Sequence, residues 1–440
     1  MAKVKPAELK RTLGLFEATI YGVGIILGAG IYVLIGKGAG LAGNGLWMAF
    51  GFGALISAFT GLSYAELSSM MPKEAAEYVY SMKAFNKKWL SFTIGWLILV
   101  AALFAAAAVS LGFGEYFHAI TGVETVFAAA GLIIALSALN FWGISESSKA
   151  NILFTFIEVS GLLLIIAFGF ALGHVGSVDY FELPAAGMAG VFAAAALVFF
   201  AYIGFEDVVN IAEETKSPRK NVPLALLLAI AITATIYVLV SISAVSIVDW
   251  ETLGQSAAPL AVVANTAIPG SGGLFSIIAL FATANTVLVI LIVESRMMYG
   301  MGREGSLPKV LGEVHSWRRT PWKAIMLTGM LSLAALLYGG IRDVAEVADA
   351  GVFVVFITTN LSLIGMRYKY RGIKRPFKAP LNIGWFPVLP FLGLLSCAFM
   401  ITHFRLHILE MGAAVILSGL LAYKILDVIG VSKIAAQKSA

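Results

Sequence analysis

One cysteine, five histidines and a charged fraction of only 12% mark what these 440 residues leave out. A single Cys397 excludes an intramolecular disulfide and any metal site of cysteine type, and it reads as a small packed residue. His118, His174, His315, His403 and His407 fall in loops or at the ends of apolar runs. None has the spacing of a metal-binding helix, so a metalloenzyme is not expected, and no nucleophile–base cluster points to any other enzyme. The scarcity of charge is the strongest exclusion. Soluble domains are about a quarter charged, whereas this chain is 60% hydrophobic with mean hydropathy +0.91. Such a chain cannot cover its surface with polar groups, so its solvent is lipid.

What is present fits that solvent. A spanning helix needs roughly 20 apolar residues. Twelve segments qualify, at about 14–36, 45–70, 88–113, 124–143, 149–173, 187–212, 222–247, 271–301, 323–340, 344–366, 384–403 and 406–426. The loops between them are short, so one all-α transmembrane domain is expected. The net charge of +5 does not point to nucleic acid, because its distribution follows the membrane. With the N-terminus placed in the cytoplasm, all but three of the 30 basic residues fall on the inside, the exceptions being Lys37, Arg342 and Arg405. Both termini are therefore expected to be cytoplasmic, in the cell membrane. No cleaved leader is expected, since the first apolar run is too long and no cleavage site follows.

The first span contains "GVGIILGAGIYVLIG", from Gly22 to Gly36. Glycine weakens a helix by about 1 kcal/mol relative to alanine. Gly22, Gly24, Gly28 and Gly30 could serve close helix packing. The sixth span favours a second reading. It runs "LVFFAYIGFEDVVNIAEETKSPRKNVP", with Gly204 in mid-span and Glu206 and Asp207 directly after it. Two acids there resemble the first turn of a new half-helix, where carboxylates favour the positive dipole end. Spans 1 and 6 thus both look interrupted, and five helices apart they cross in opposite directions. Paired interruptions of this kind point to the central site of a transporter built from inverted repeats. At each break one half-helix offers free N–H groups and the other free C=O groups. The Gly28–Ile31 amides suit a carboxylate, and the carbonyls around Phe200, Ala201 and Ile203 suit an ammonium. "SPRKNVP" reads as a turn with Pro223 opening the seventh span.

"GAGIY" (28–32), "LSYAELSSMMPKEAAEYVY" (62–80), "FFAYIGFEDVVNIAEETKSPRKNVP" (199–223) and "SRMMYGMGREGSLP" (295–308) occur in an order that resembles the amino acid–polyamine–organocation superfamily. Within it, "FFAYIGFE" is most similar to prokaryotic relatives of cationic amino acid transporters. The resemblance implies a LeuT-type fold: a first repeat over 14–173, an inverted second repeat over 187–366, and two extra helices over 384–426. It implies that Gly28, Ala29, Gly30 and Ile31 bind the substrate carboxylate. Phe200 matches an aromatic gate, Ala201 and Ile203 offer carbonyls to the substrate ammonium, and Gly204 and Phe205 complete that wall. Glu206 matches a glutamate linked to gating or proton sensing, though it could also simply cap the half-helix.

Span 5, "NILFTFIEVSGLLLIIAFGF", carries Glu158 near mid-membrane, where an ionisable side chain is costly and functional by default. The resemblance places it where proton-coupled relatives carry a lysine, with Gly24 and Leu27 of span 1 and Ala282, Asn285 and Thr286 of span 8 as the other walls. An acid there departs from the pattern and leaves three readings: a proton carrier for symport, a ligand for Na⁺, or a fixed hydrogen-bonding group. Glu66, Glu294 and Asp349 are expected to pair locally or anchor at the interface. No unpaired acid stands where it would hold a cationic side chain, so a small or medium neutral amino acid, or a broad range, is the expected substrate; the sub-family resemblance points the other way, toward arginine or lysine, and polyamines are disfavoured because the span 1 amides would lack a carboxylate. No cofactor is expected. The expected function is amino acid transport by alternating access, H⁺-coupled; the rivals are Na⁺ symport, exchange without net ion coupling, and a sensor that binds without transport.

Overall fold

The computed structural model describes residues 13–72, 76–142, 144–173, 176–212, 215–304, 307–318 and 320–428. Lys3, Lys5, Lys10, Arg11, Lys73, His174, Arg319, Lys433 and Lys438 lie outside them, as do the side chain of Lys149 and parts of the motifs at 62–80, 199–223 and 295–308.

Helix covers every one of the twelve apolar segments. The first divides into α1 (Leu15–Ile26) and α2 (Ala29–Ala42), and the second is α3 (Leu46–Met70). A short polar helix, α4 (Ala76–Phe85), leads to α5 (Lys88–Thr121), α6 (Thr125–Trp142) and α7 (Ile144–Leu172). The sixth segment is α8 (Gly187–Val198) followed by two 3-10 turns, Phe199–Tyr202 and Phe205–Ile211. Then come α9 (Pro218–Ile247), the short α10 (Trp250–Gln255) and α11 (Pro259–Ala267), and α12 (Gly272–Glu304). The chain closes with α13 (Trp322–Ala335), α14 (Ile341–Lys369), α15 (Val388–Ile401) and α16 (Leu406–Val428). A two-residue hairpin, Asn382–Ile383 against Phe386–Pro387, is the only sheet among the described residues. The chain is a multi-pass membrane protein. Where twelve spans are expected, nine helical runs among the described residues reach spanning length, and α1, α13 and α15 are shorter apolar helices.

Two boundaries differ from the sequence reading. The third segment runs on to Thr121, giving a 34-residue helix, about 50 Å long at 1.5 Å per residue. It stops at Gly122, whose φ of +76° suits glycine and whose N–H donates to the His118 carbonyl at 2.8 Å. The seventh opens at Pro218 rather than Pro223. Pro218 occupies the first helical turn, where a missing N–H costs nothing; Pro223 falls one turn further in.

Packing between helices relies on small residues, as it must where lipid gives no hydrophobic drive for association. A Cβ added to Gly169 would lie 2.2 Å from the Cβ of Ser243, so α7 and α9 meet almost backbone to backbone there. The sole cysteine, Cys397 of α15, is buried, with its Sγ 3.8 Å from the Thr60 hydroxyl of α3.

A buried ion-pair network lies near the C-terminal end of α3. Glu66 accepts from Arg367 Nε at 2.9 Å and from the Ala379 amide at 2.9 Å, and it pairs with Arg375 at 3.1 Å. Arg367, fully buried, also bonds Asn382 of the hairpin. This network ties α3, α14 and the 375–383 segment together. Removing Arg367 leaves Glu66 with one of its two arginines and opens a cavity where a fully buried guanidinium bridged Glu66 and Asn382, and breaking a buried ion pair costs roughly 3–5 kcal/mol. Arg367→Ala is therefore expected to lower the melting temperature in detergent sharply; an unchanged midpoint would show that the network is dispensable. The three basic residues assigned outside are paired as well. Lys37 lies 3.7 Å from Glu115, Arg342 bonds Glu346 at 2.7 Å, and Arg405 bonds Glu346 at 3.0 Å and also Asp343.

Candidate functional site

The first apolar segment breaks at Leu27 and Gly28, two residues that leave the helical region, with Gly28 extended (φ −116°, ψ −170°). Ala29 and Gly30 already belong to α2, so the gap lies slightly before the Gly28–Gly30 stretch singled out in the sequence. The sixth breaks at Ile203 and Gly204, and Gly204 has φ +115°, a conformation that glycine adopts without strain. The following half is a 3-10 turn rather than an α-helix. One of its acids acts as a local cap: Glu206 Oε2 accepts the Gly204 amide at 3.0 Å.

The two breaks interlock. A Cβ on Gly30 would sit 2.6 Å from the Cα of Ala201, and one on Gly204 would sit 2.7 Å from the side chain of Ile25. Each glycine thus receives the partner segment's backbone or side chain at its own gap. Tyr237 of α9 stands between them. Its hydroxyl is 2.7 Å from the Ile26 carbonyl and 2.9 Å from the Ala201 carbonyl, so one hydrogen faces two acceptors. The Phe200 carbonyl accepts the Ile203 amide at 3.3 Å. The Ala29 amide donates to the Thr286 hydroxyl at 2.9 Å, leaving Gly30 and Ile31 in a first turn that has no intrahelical acceptors. Phe200 is buried in a wall with Ala105–Ala108 of α5 and Ala345 and Ala348 of α14. Phe205 lies lower, edge-on to Tyr64 at 5.9 Å between ring centroids.

The residues assigned to an ion or proton site also converge. Glu158 is fully buried, and neither carboxyl oxygen finds a hydrogen-bond partner among the described residues. Its main-chain carbonyl accepts the Tyr32 hydroxyl at 2.6 Å. Asn285 acts on its side chain and donates to Thr155 Oγ1 at 3.2 Å. Thr155 in turn lies 3.4 Å from where a Gly24 Cβ would be. Thr286 donates to the Ala282 carbonyl at 3.2 Å while accepting from Ala29, and a Cβ on Gly28, next to Leu27, would lie 3.0 Å from it. Thr286 therefore touches the break, and its sequence neighbour Asn285 reaches the Glu158 side chain. No group of three or more His, Cys, Asp or Glu suited to a metal ion occurs among the described residues.

Sequence reasoning missed Tyr237, Thr155 and Tyr32. Each is a hydroxyl inside an apolar span, which is the signal that could have found them. It also expected local pairing for Glu294 and Asp349. Both are buried, and their carboxyl oxygens lack hydrogen-bond partners among the described residues.

Beyond the sixth-segment break a further acid gathers. Glu77 of α4 accepts the Tyr64 hydroxyl at 3.0 Å and lies near Asp207 and Glu206. Burial, aided by the Asp207 charge and opposed by hydrogen bonds, pushes the Glu77 carboxyl up from 4.5 to about 7. A raised folded-state value means that the folded protein holds this proton more tightly than the unfolded chain. Its contribution to stability is complete below about 4.5 and is lost as pH rises through about 7. The melting temperature should fall across that window, and Glu77→Gln should flatten the decline; an identical slope in the variant would contradict the assignment.

A family model described as amino acid permease matches residues 13–417. The branched-chain amino acid permease BcaP of Bacillus subtilis (strain 168) is 32% identical over 418 residues, covering 90% of this chain and 88% of its own. The methylthioribose transporter of the same organism is 29% identical, covering 90% of this chain and 89% of its own. Cationic amino acid transporter 4 of Homo sapiens is 28% identical, covering 83% of this chain and 62% of its own. With the paired breaks and this match over nearly the whole length, the chain belongs to the amino acid permeases of the amino acid–polyamine–organocation superfamily.

Proposed function

We propose that the chain is a secondary active transporter that carries amino acids across the cell membrane by alternating access, driven by H⁺ bound at Glu158. The observation that carries this reading is the pair of interlocked breaks. They set the open amide end of α2 against the open carbonyl end of the sixth segment, as a zwitterion requires. The carboxylate would lie on the Gly30 and Ile31 amides, the Gly28 and Ala29 amides being held by the Ile26 carbonyl and the Thr286 hydroxyl, and the ammonium near the carbonyls of Ala201 and Ile203. Twelve crossings, an inverted five-plus-five repeat followed by two extra helices, and cytoplasmic termini belong to the same reading; the charge distribution and the matched family support them.

Glu158 supports proton coupling because it is a buried carboxyl with no cationic partner among the described residues, and Asn285, which reaches it, directly precedes Thr286 at the first break. The oxygen-rich surroundings at Thr155, Asn285 and Ala282 favour Na⁺ as the second reading. Purified protein in proteoliposomes separates the cases. Uptake of amino acids that raise the melting temperature is expected under an inward H⁺ gradient alone. Uptake that needs Na⁺ would replace the coupling ion, and uptake only into preloaded vesicles would make the protein an exchanger. Binding without flux in any arm would overturn transport.

A further inference from the structure

Away from the breaks and from Glu158, a groove of about 410 Å³ lies between the C-terminal end of α6 and the start of α13. Ser137, Ala138 and Phe141 form one wall, and Trp322, Ile325 and Met326 form the other. His315 stands between the walls, edge-on to Phe141 at 5.3 Å and to Trp322 at 6.4 Å between ring centroids. Ile134 and Met330 lie one turn from Ala138 and Met326 on the same helix faces, and both are exposed. In a bilayer that face meets hydrocarbon, so an apolar chain suits the groove.

The rim of the groove is basic. The stretch "EVHSWRRTPWK" (313–323) carries three bases and one acid. Thr320 pins it to α6, its hydroxyl donating to the Phe141 carbonyl at 3.0 Å. The His315 amide donates to the Thr320 carbonyl at 2.8 Å, and the Arg318 amide donates to His315 Nδ1 at 3.3 Å. This turn sets the Arg318 guanidinium against two indoles, 3.9 Å from the Trp317 ring centre and 4.7 Å from that of Trp142. Lys323 is held by Glu313 at 2.6 Å. Arg318 pairs with no acid among the described residues, and its Nε is buried without a hydrogen-bond partner there. Tryptophans favour the headgroup level of a membrane, and a stacked guanidinium matches phosphate geometry.

We propose that this groove binds an anionic phospholipid of the cytoplasmic leaflet, with an acyl chain between α6 and α13 and the headgroup on Arg318. Basic pockets between spanning helices on the cytoplasmic side suit acidic headgroups. A second copy of the chain is a poorer occupant, because an isologous contact would set the same basic stretch against itself. The cytoplasmic placement of this end comes from the charge distribution. The site is independent of the breaks, so a failure of transport would leave the binding result standing.

The test uses phosphatidylglycerol and phosphatidylcholine with identical acyl chains, titrated onto the purified full chain in detergent and counted by native mass spectrometry. Phosphatidylglycerol should bind about fivefold or more tighter, the equivalent of about 1 kcal/mol for one basic residue at the headgroup. Arg318→Gln should bring it down to the phosphatidylcholine level. Arg371→Gln, in a different basic stretch, should leave the preference unchanged. Ala138→Phe should fill the groove and weaken both lipids without altering charge, and it keeps the test decisive if Arg318→Gln does not fold. Equal binding of the two lipids by the unmodified protein would overturn the proposal. So would a preference that survives Arg318→Gln, or lipid binding untouched by Ala138→Phe. A dimer that forms without lipid and is lost in Ala138→Phe would give the groove to a second copy instead.

Discussion

Proteoliposomes carrying Glu158→Gln should fail to concentrate substrate under an imposed pH gradient, while exchange of labelled for unlabelled substrate continues. Glutamine has the shape of a protonated glutamate, so a change that removes only the exchangeable proton leaves the packing in place. The surroundings make that substitution mild. The Tyr32 hydroxyl bonds the main chain of residue 158, which the substitution keeps. The side chain has no ionic partner to strand, and glutamine keeps a side-chain oxygen for Asn285 to reach. A loss of accumulation with exchange intact would therefore assign Glu158 to coupling rather than to folding. Continued accumulation would sink proton coupling at this position and leave Glu158 a fixed structural group.

Gly30→Ala should lower substrate uptake by roughly ten- to a hundredfold, the equivalent of the 1–3 kcal/mol that overpacking costs. The added methyl would meet the Ala201 Cα at 2.6 Å and its nitrogen at 3.1 Å. Both are main-chain atoms and cannot rotate aside, so the two broken segments must separate. Gly95→Ala is the control. Nothing lies within 4 Å of its added Cβ in α5, and alanine there favours the helix by about 1 kcal/mol. Uptake should be unchanged in the control. Wild-type uptake by Gly30→Ala would show that the close approach at the break is not required.

Much of this arrangement was legible because lipid makes the rules strict. Apolar runs located a helix in each of the twelve segments, though not the short α4, α10 and α11 between them, and mid-span glycines marked both breaks, since an unpaired backbone group in a bilayer is tolerated only where protein or a cavity answers it. What escaped depended on rotation about helix axes. In α14 the residues directly flanking Asp349 are small and apolar in both directions, with Glu346 one turn before it, so no periodicity told which neighbour the acid faced. Tyr237 was hidden for the same reason in α9. The length of α5 was understated because hydropathy fades before the helix does. Pro223 looked like a helix start because nothing local shows that Pro218 has already opened one.

The single hydrogen of Tyr237 has a consequence for motion. It lies between the Ile26 and Ala201 carbonyls at 2.7 and 2.9 Å, and the Ile26 carbonyl also accepts the Gly28 amide at 2.7 Å. Turning the hydroxyl toward Ala201 therefore leaves neither acceptor bare, and one rotatable bond can lend its hydrogen to either broken segment. Under the proposed function, an ammonium would bring three further donors to this point and hold both segments at once, so the empty and the loaded hinge would differ in stiffness before they differ in shape.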